Sequence, residues 1–425
     1  MHVFLIFLIF AIGSSEEEKR INNYAHHEHA HGQRYWQPAL IKQCPLVSLR
    51  HLRNVSPGDV QNLSIAIVNI PDSFQQGCLS MARGADWTVS DVPEYFMDLM
   101  VHSLLAKHAA RYGLQVEEWP AKNGTKSRFD FYYVPIYTAC RKRAGVQDKS
   151  DIVLPWLSSL FSDTEPMGIL DMKRDRTQLT RILTTIGSNF GGDWMGKIFE
   201  LVAVFTYECY AAHKQNRGWA RRDIVVPYAV PGHLADINAS SKTSDFFFLG
   251  TLNRGNGGNI VRNRLKEIFA NDTNSRVGDS VNATAYVAGM RSSKFCLVPR
   301  GDTFTTKHLF NAIADMCVPV IVSDPWDGAT LPFSRYLDWE TFSYRICEQF
   351  LEPQREALLR ERIEFIRNDV TGLAARQRVL LDVREFFVFG SGNALLPSFK
   401  PSMCLLLLLL QNLVDIKLKN RLAWR

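Results

Sequence analysis

Between Ser293 and Val322 the sequence passes from one apolar run to another through a proline- and glycine-containing loop and an amphipathic helix. That order narrows the available folds more than any other feature. Phe295-Cys-Leu-Val298 reads as a strand and Pro299 to Thr303 as a loop. Phe304 to Met316 reads as a helix with Leu309, Phe310, Ile313 and Met316 apolar, and Val318-Pro-Val-Ile-Val322 as the next strand. Two strands joined through a helix make a parallel βαβ unit.

The same grammar recurs along the chain. Ser64-Ile-Ala-Ile-Val-Asn-Ile70, closed by Pro71-Asp72, predicts a strand and a turn. Asp91 with Glu94 three residues on predicts a helix start. Phe96, Met97, Met100, Leu104 and Leu105 keep helical spacing after it, and Gly113 is the predicted stop. Phe129 to Tyr137, Asp223 to Pro227 and Asp245 to Gly250 predict further strands, and Asn259 to Ala270 an amphipathic helix. Pro231 to Ser244 reads as a linker between two α/β sets. With 425 residues there is length for two or three domains, and no internal sequence repeat is visible. A net charge of +6 over that length, with no dense basic stripe, argues against nucleic acid as a partner.

Residues 3 to 12 are apolar without a charge, too short to span a bilayer and suited to a signal-peptide core or a short signal-anchor; a misassigned start is the alternative. Six Asn-x-Ser/Thr sequons, at Asn54, Asn62, Asn123, Asn238, Asn271 and Asn282, fit a luminal fate. In an oxidising lumen some of the eight cysteines would pair, whereas Cys296 and Cys317, in strand-like runs, read as small buried hydrophobes. Residues 14–60, with Ala25-His-His-Glu-His-Ala-His31, read as a solvated stem, ordered sequence starting near Leu63. Met403-Cys404 and Leu405 to Leu410 form an apolar run too short to span. Its all-round hydrophobicity predicts a buried helix, a misread gene end being the alternative.

The loop at Pro299 to Lys307 is where chemistry is expected. In an open parallel sheet, ligands bind beyond the carboxyl ends of the strands. A helix start there offers N–H groups and partial positive charge to a phosphate. Gly301 would let backbone approach closely, Thr303, Thr305 and Thr306 supply hydroxyls, and Arg300 and Lys307 supply charge. Arg254, in the glycine-rich loop 253–258, and Arg262, one turn into the next helix, would converge on the same place. The competing reading is an ordinary surface loop with a capping threonine.

These residues also carry a resemblance. Ser293-Lys-Phe-Cys-Leu-Val-Pro-Arg-Gly-Asp-Thr303, Leu309-Phe-Asn-Ala-Ile313, Cys317-Val-Pro-Val-Ile-Val-Ser-Asp324 and Leu331-Pro-Phe-Ser-Arg-Tyr-Leu-Asp-Trp339 resemble the exostosin family of glycosyltransferases. The likeness is dense over about 245 to 345. It is thinner at Ile65 to Phe74 and Asp130 to Tyr137. The family implies a GT-B fold: two Rossmann-like α/β domains with parallel sheets facing a cleft. It implies residues 1–13 as signal or anchor, 14–60 as stem, 61–240 as the acceptor-side domain, 241–395 as the nucleotide-sugar domain and 396–425 as a tail.

Its implied reaction is inverting, metal-independent transfer of a sugar from a nucleotide-sugar, UDP-sugar above all, to a growing glycan in the Golgi lumen. The chain has no Asp-x-Asp. Arg300 would stabilise the leaving diphosphate, with Arg254, Arg262, Gly301, Asp302, Thr303, Thr305, Thr306, Lys307 and Asn311 around the donor. Asp130 is carried as the candidate base, with Asp72, Asp91 and Glu94 left open beside it, and Trp326 as a platform for the acceptor. No cofactor or metal is implied. Asn311 stands where such enzymes carry an acidic residue, Met316 where the family has glycine, and the family's Asp-His-Phe segment is not recognisable between 181 and 227. Those departures support the alternative, an inactive transferase-like protein that binds sugar or a partner glycosyltransferase. Gly191-Gly-Asp-Trp-Met-Gly-Lys197 nearly matches a P-loop, but Ile198 replaces the Ser or Thr that would hold Mg²⁺.

Overall fold

A computed structural model describes residues 44, 49–55, 57–85, 96–119, 129–137, 182–186, 203–206, 223–230, 242–255, 257–279, 282–301, 304–324, 331–391, 394–397 and 399–423. These residues build two parallel sheets. The first contains β1 (Ser64–Val68), β2 (Gln115–Trp119), β3 (Phe131–Val134), β4 (Ile182–Ile186), β5 (Ala203–Thr206) and β6 (Asp223–Val225), in the order β2-β1-β3-β4-β5-β6. The second contains β7 (Ser244–Leu249), β8 (Arg276–Gly278), β9 (Ser293–Pro299), β10 (Val318–Val322) and β11 (Tyr344–Arg345), in the order β11-β10-β9-β7-β8. Numbered within each sheet, the two orders agree over five strands (second, first, third, fourth, fifth), and the first sheet adds a sixth strand at its edge. The expected fold class, two Rossmann-like units with parallel sheets, is therefore what the chain has.

The β-branched and aromatic runs are strands because both of their faces are covered. All five residues of β10 are buried, and Phe246, Phe247 and Phe248 of β7 expose 0–1% of their surface. The intervening helices supply the cover: α1 (Pro57–Gln61), α2 (Asp72–Gly84), α3 (Met97–Ser103), α4 (Gly258–Ile268), α5 (Ala283–Ser292) and α6 (Lys307–Ala314), then α7 (Glu356–Asn368) and α8 (Val370–Val383). After Ser103 the helix continues as a π turn over Leu104–His108 and a 3-10 turn over Ala109–Tyr112. It ends at Gly113, whose φ of +84° is the left-handed stop the sequence predicts. Helix α6 begins at Lys307, three residues later than its apolar pattern suggests, because Thr306 is extended and its hydroxyl caps the N–H of His308.

Both ends of the described chain are more tightly built in than the sequence reading allows. Cys44 and Leu49 are fully buried and α1 is already in place, so packing begins before Leu63. The apolar tail forms α9 (Met403–Ala423). Leu405 to Leu410 are wholly buried, the helix lies against α1, and Tyr112 Oη donates to the carbonyl of Met403 at 2.7 Å. The carboxyl-terminal helix thus returns to the first unit. A Cys44–Cys404 disulfide joins the two ends across 360 residues.

Cys296 and Cys317 correct the sequence reading. They form a disulfide between β9 and the residue just before β10, because parallel pairing brings their Cα atoms to 5.6 Å. Cys78 is disulfide-bonded too, and Cys347 is an unpaired thiol. The leader 1–13, the His-rich stretch 25–31 and the linker 231–241 lie outside the described residues. Among the described residues no helix is long and apolar enough to cross a membrane.

Candidate active site

In a sheet of this order the first and third strands lead off in opposite directions, which leaves a crevice beyond their carboxyl ends. In the second sheet those strands are β7 and β9, and the loops that follow them carry the glycine-rich segment and the Pro-Arg-Gly segment. The two loops touch. A Cβ on Gly258, the first residue of α4, would lie 2.3 Å from the carbonyl oxygen of Gly301 and 3.0 Å from Cβ of Arg254. Only glycine permits that approach, and it places Arg254 beside the loop of Arg300. Gly257, just before, has a φ of +86° and starts the helix.

The three expected arginines have different jobs. Arg262 is buried. Its Nε donates to the carbonyl of Arg300 at 2.9 Å and its Nη1 to that of Thr251 at 2.7 Å, with the guanidinium 5.3 Å from the Phe248 ring centre. It ties the two loops together from beneath and is not spare charge for a ligand. Arg300 continues the β9–β10 ladder through its N–H to Val322. Its guanidinium lies 4.5 Å over Phe304 and 3.5 Å from Glu348 Oε2, and its Nε is buried with no hydrogen-bond partner among the described residues. Arg254 is exposed.

Glu348 is the residue the sequence reading missed. It follows the short edge strand β11, and its Oε1 accepts the N–H of Asp324 at 2.9 Å while its own N–H donates to Asp324 Oδ2 at 3.0 Å. Arg345 Nη2 completes the ring at Asp324 Oδ1, 3.2 Å away. Burial pushes the Glu348 carboxyl above the usual range, against the opposing pull of the Asp324 N–H and of Arg300. The signal was present: an acidic residue just past the carboxyl end of a β-branched and aromatic run. Its shortness hid it, since β11 has two residues. The arrangement offers arginine charge, helix N–H groups and a carboxylate within one crevice, which is chemistry suited to a phosphorylated, hydroxylated ligand.

The remaining expected residues divide. Thr305 is buried beside Lys307 at the start of α6, while Thr306 is a helix cap. Asn311 lies on α6. Its amide donates to Tyr286 Oη at 3.3 Å, and the same hydroxyl lies 2.6 Å from Nδ1 of buried His308, whose pKa burial and then Arg262 lower to about 3. Asp302, Thr303, Trp326, Asp91 and Glu94 lie outside the described residues. Met316 has a φ of +58°, a left-handed backbone in which the family's glycine would rest without strain.

Asp130 does not stand as a base. It precedes β3, at the amino edge of the first sheet, opposite to the edge where ligands bind. Its Oδ2 accepts the N–H of Ser64 at 2.9 Å and forms an ion pair with Lys417 at 2.7 Å. The carboxylate fastens α9 to the sheet. Among the described residues no group of His, Cys, Asp and Glu side chains is arranged to hold a metal ion.

Residues 191–361, which include all of the second sheet, match the Exostosin GT47 domain. Over those residues the chain is similar to the exostosin family. Relatives of the exostosin domain include the probable arabinosyltransferase ARAD1 of Arabidopsis thaliana, 29% identical over 198 residues that make 45% of this chain and 42% of that protein. The Exostosin-1 homolog of Caenorhabditis elegans is 31% identical over 100 residues, 22% of this chain and 25% of that one. The chain therefore spans less than half the length of these relatives. Among solved structures, the calicheamicin glycosyltransferase CalG4 is 11% identical, with 76% of this chain and 94% of that chain covered at a TM-score of 0.28.

Proposed function

We propose that this protein is an inverting, metal-independent glycosyltransferase of the exostosin family. It takes a nucleotide-sugar, UDP-sugar first among them, and passes the sugar to a hydroxyl of a growing glycan in the lumen of the secretory pathway. One observation carries the reading: the Gly258–Gly301 contact at the switch point of the second sheet, which sets Arg254 and Arg300 beside the start of α4. As the anomeric carbon leaves the diphosphate, negative charge grows on the departing oxygens. A donor fixed where that charge develops is worth about 3–4 kcal/mol, or 10²–10³ in rate. Arg262, held by the two loop carbonyls, keeps that geometry assembled before the ligand arrives.

A second reading has its own support. Asn311 is occupied by Tyr286, and Arg300 is already engaged by Glu348. A transferase-like protein that binds a sugar nucleotide, a sugar or a partner glycosyltransferase without turnover would carry the same fold. Thermal shift with UDP and GDP, followed by a screen of UDP-sugars for release of UDP, separates the two. An enzyme gives a positive shift and UDP release. A binder gives the shift alone, and no shift with either nucleotide defeats both.

A further inference from the structure

The first sheet has its own switch point, between β1 and β3, and three unusual features meet there. Tyr137, three residues past the end of β3, is wholly buried at a φ of +57°. A tyrosine held in that left-handed region costs about 1–3 kcal/mol, and such strain gathers at working sites. Opposite it, α3 gives way after Ser103 to the π turn Leu104–His108, another device that clusters at functional sites. His102, in the last turn of α3, joins the two: its Nδ1 is 2.5 Å from Tyr137 Oη, and its ring centre is 5.8 Å from that of Tyr137 and 5.9 Å from that of Tyr133.

Among the described residues nothing hydrogen-bonds Nε2 of His102, and the side chain is only partly buried. The surroundings keep the imidazole neutral. Burial and then Lys107 lower its pKa to about 4, and burial together with Asp98 raises that of Tyr137, so the phenol keeps its proton. Asp98 itself is fully buried. Tyr133 below is fixed by a 2.8 Å hydrogen bond to Thr185.

We infer that His102, positioned by Tyr137, accepts the proton of the attacking hydroxyl; the inference rests on the transferase reading above. With Nδ1–H donating to Tyr137 Oη, Nε2 carries the lone pair. As the acceptor oxygen bonds to the anomeric carbon, its proton passes to Nε2. The bond from that carbon to the phosphate oxygen breaks, and its electron pair leaves with the nucleoside diphosphate. The imidazolium then releases its proton to water. Nucleotide-sugar and alcohol thus give glycoside, nucleoside diphosphate and one proton. His102 is here the catalytic residue and Tyr137 the positioning residue.

The test uses the full chain with UDP-sugars, water and methyl glycosides as acceptors, and measures UDP release, UDP affinity by calorimetry and melting temperature. In His102→Gln, kcat should fall about 10²–10⁴-fold, the usual worth of a general base, with UDP affinity and melting temperature unchanged. Added imidazole should restore part of the rate to His102→Ala. Tyr137→Phe should show a smaller loss and an altered pH–rate profile. Turnover by His102→Gln within twofold of the natural protein overturns the inference. So does a loss of UDP affinity or melting temperature in step with activity, which would mark His102 as structural. A natural protein that binds neither UDP nor GDP and releases no UDP defeats the transferase reading and the inference with it. An active protein whose His102→Gln variant is equally active defeats the inference alone.

Discussion

The two sheets share one strand order and differ in what stands at the crevice each order creates. Beyond β7 and β9 are glycine backbone in contact, arginines and an acidic ring at Asp324 and Glu348. Beyond β1 and β3 are a neutral histidine and a strained tyrosine. Topology settles where a ligand can lie, because strands that lead off in opposite directions leave a gap at that point. Side chains settle which ligand it is. A gap lined with guanidinium and helix N–H groups suits an anion, and one presenting an unprotonated imidazole suits a hydroxyl group.

That contrast can be broken most directly at Arg300. Arg300→Ala should lower turnover of a UDP-sugar by about 10²–10³-fold and weaken UDP binding, with the melting temperature little changed. Full activity in that variant would remove the anion-binding side of the comparison. A large effect of a different kind is expected where the two chain ends join. Cys44→Ala with Cys404→Ala opens a link between residues 360 apart and should cost about 2–5 kcal/mol of stability, read by chemical denaturation, with UDP affinity unaltered.

Acid tests both switch points at once. His102 and His308 have pKa values of about 4 and 3 against 6.5 in an unfolded chain, so unfolding takes up protons in that range. Their contribution to stability is complete above about pH 6.5 and is lost as pH falls toward 4 and 3. His102→Gln and His308→Gln should each flatten the fall in denaturation free energy between pH 7 and pH 4; an unchanged slope would mean that neither group is held neutral. Glu348 runs the other way. Its raised pKa means that stability declines as pH rises from the ordinary glutamate range, and Glu348→Gln should remove that decline. The smallest effect belongs to Asp130. Its partly exposed ion pair with Lys417 is worth under about 1 kcal/mol, so Asp130→Asn should leave turnover unchanged, and a large loss of rate would restore it as a catalytic candidate.

Much of the second unit was legible because its chemistry is contiguous. Strand, loop and helix over 293–322 read off the chain, and Arg300 and Gly301 occupy the corner expected of them. Arg262 was legible as a residue but not as a tie, because a guanidinium that grips an anion and one that grips two carbonyls look alike in sequence. Glu348 and His102 escaped for a different reason. Neither lies in a motif, and each acquires meaning from a neighbour in space: Asp324 and Arg300 in one case, Tyr137 in the other. Asp130 misled because a carboxylate at a strand end is equally suited to either edge of a sheet, and one-dimensional order does not say which edge faces a crevice.

By itself, then, the sequence determined alternating strands and helices, a glycine-bearing corner and a buried apolar tail, all of which depend on local periodicity and backbone freedom. Only the tertiary structure decided that the two sheets repeat one topology with no visible sequence repeat, that Cys296 meets Cys317 and Cys44 meets Cys404, and that the apolar tail packs on the first unit. Those outcomes depend on register and on contacts between residues far apart in the chain, which leave one guanidinium exposed at Arg254 and another gripped by two carbonyls at Arg262.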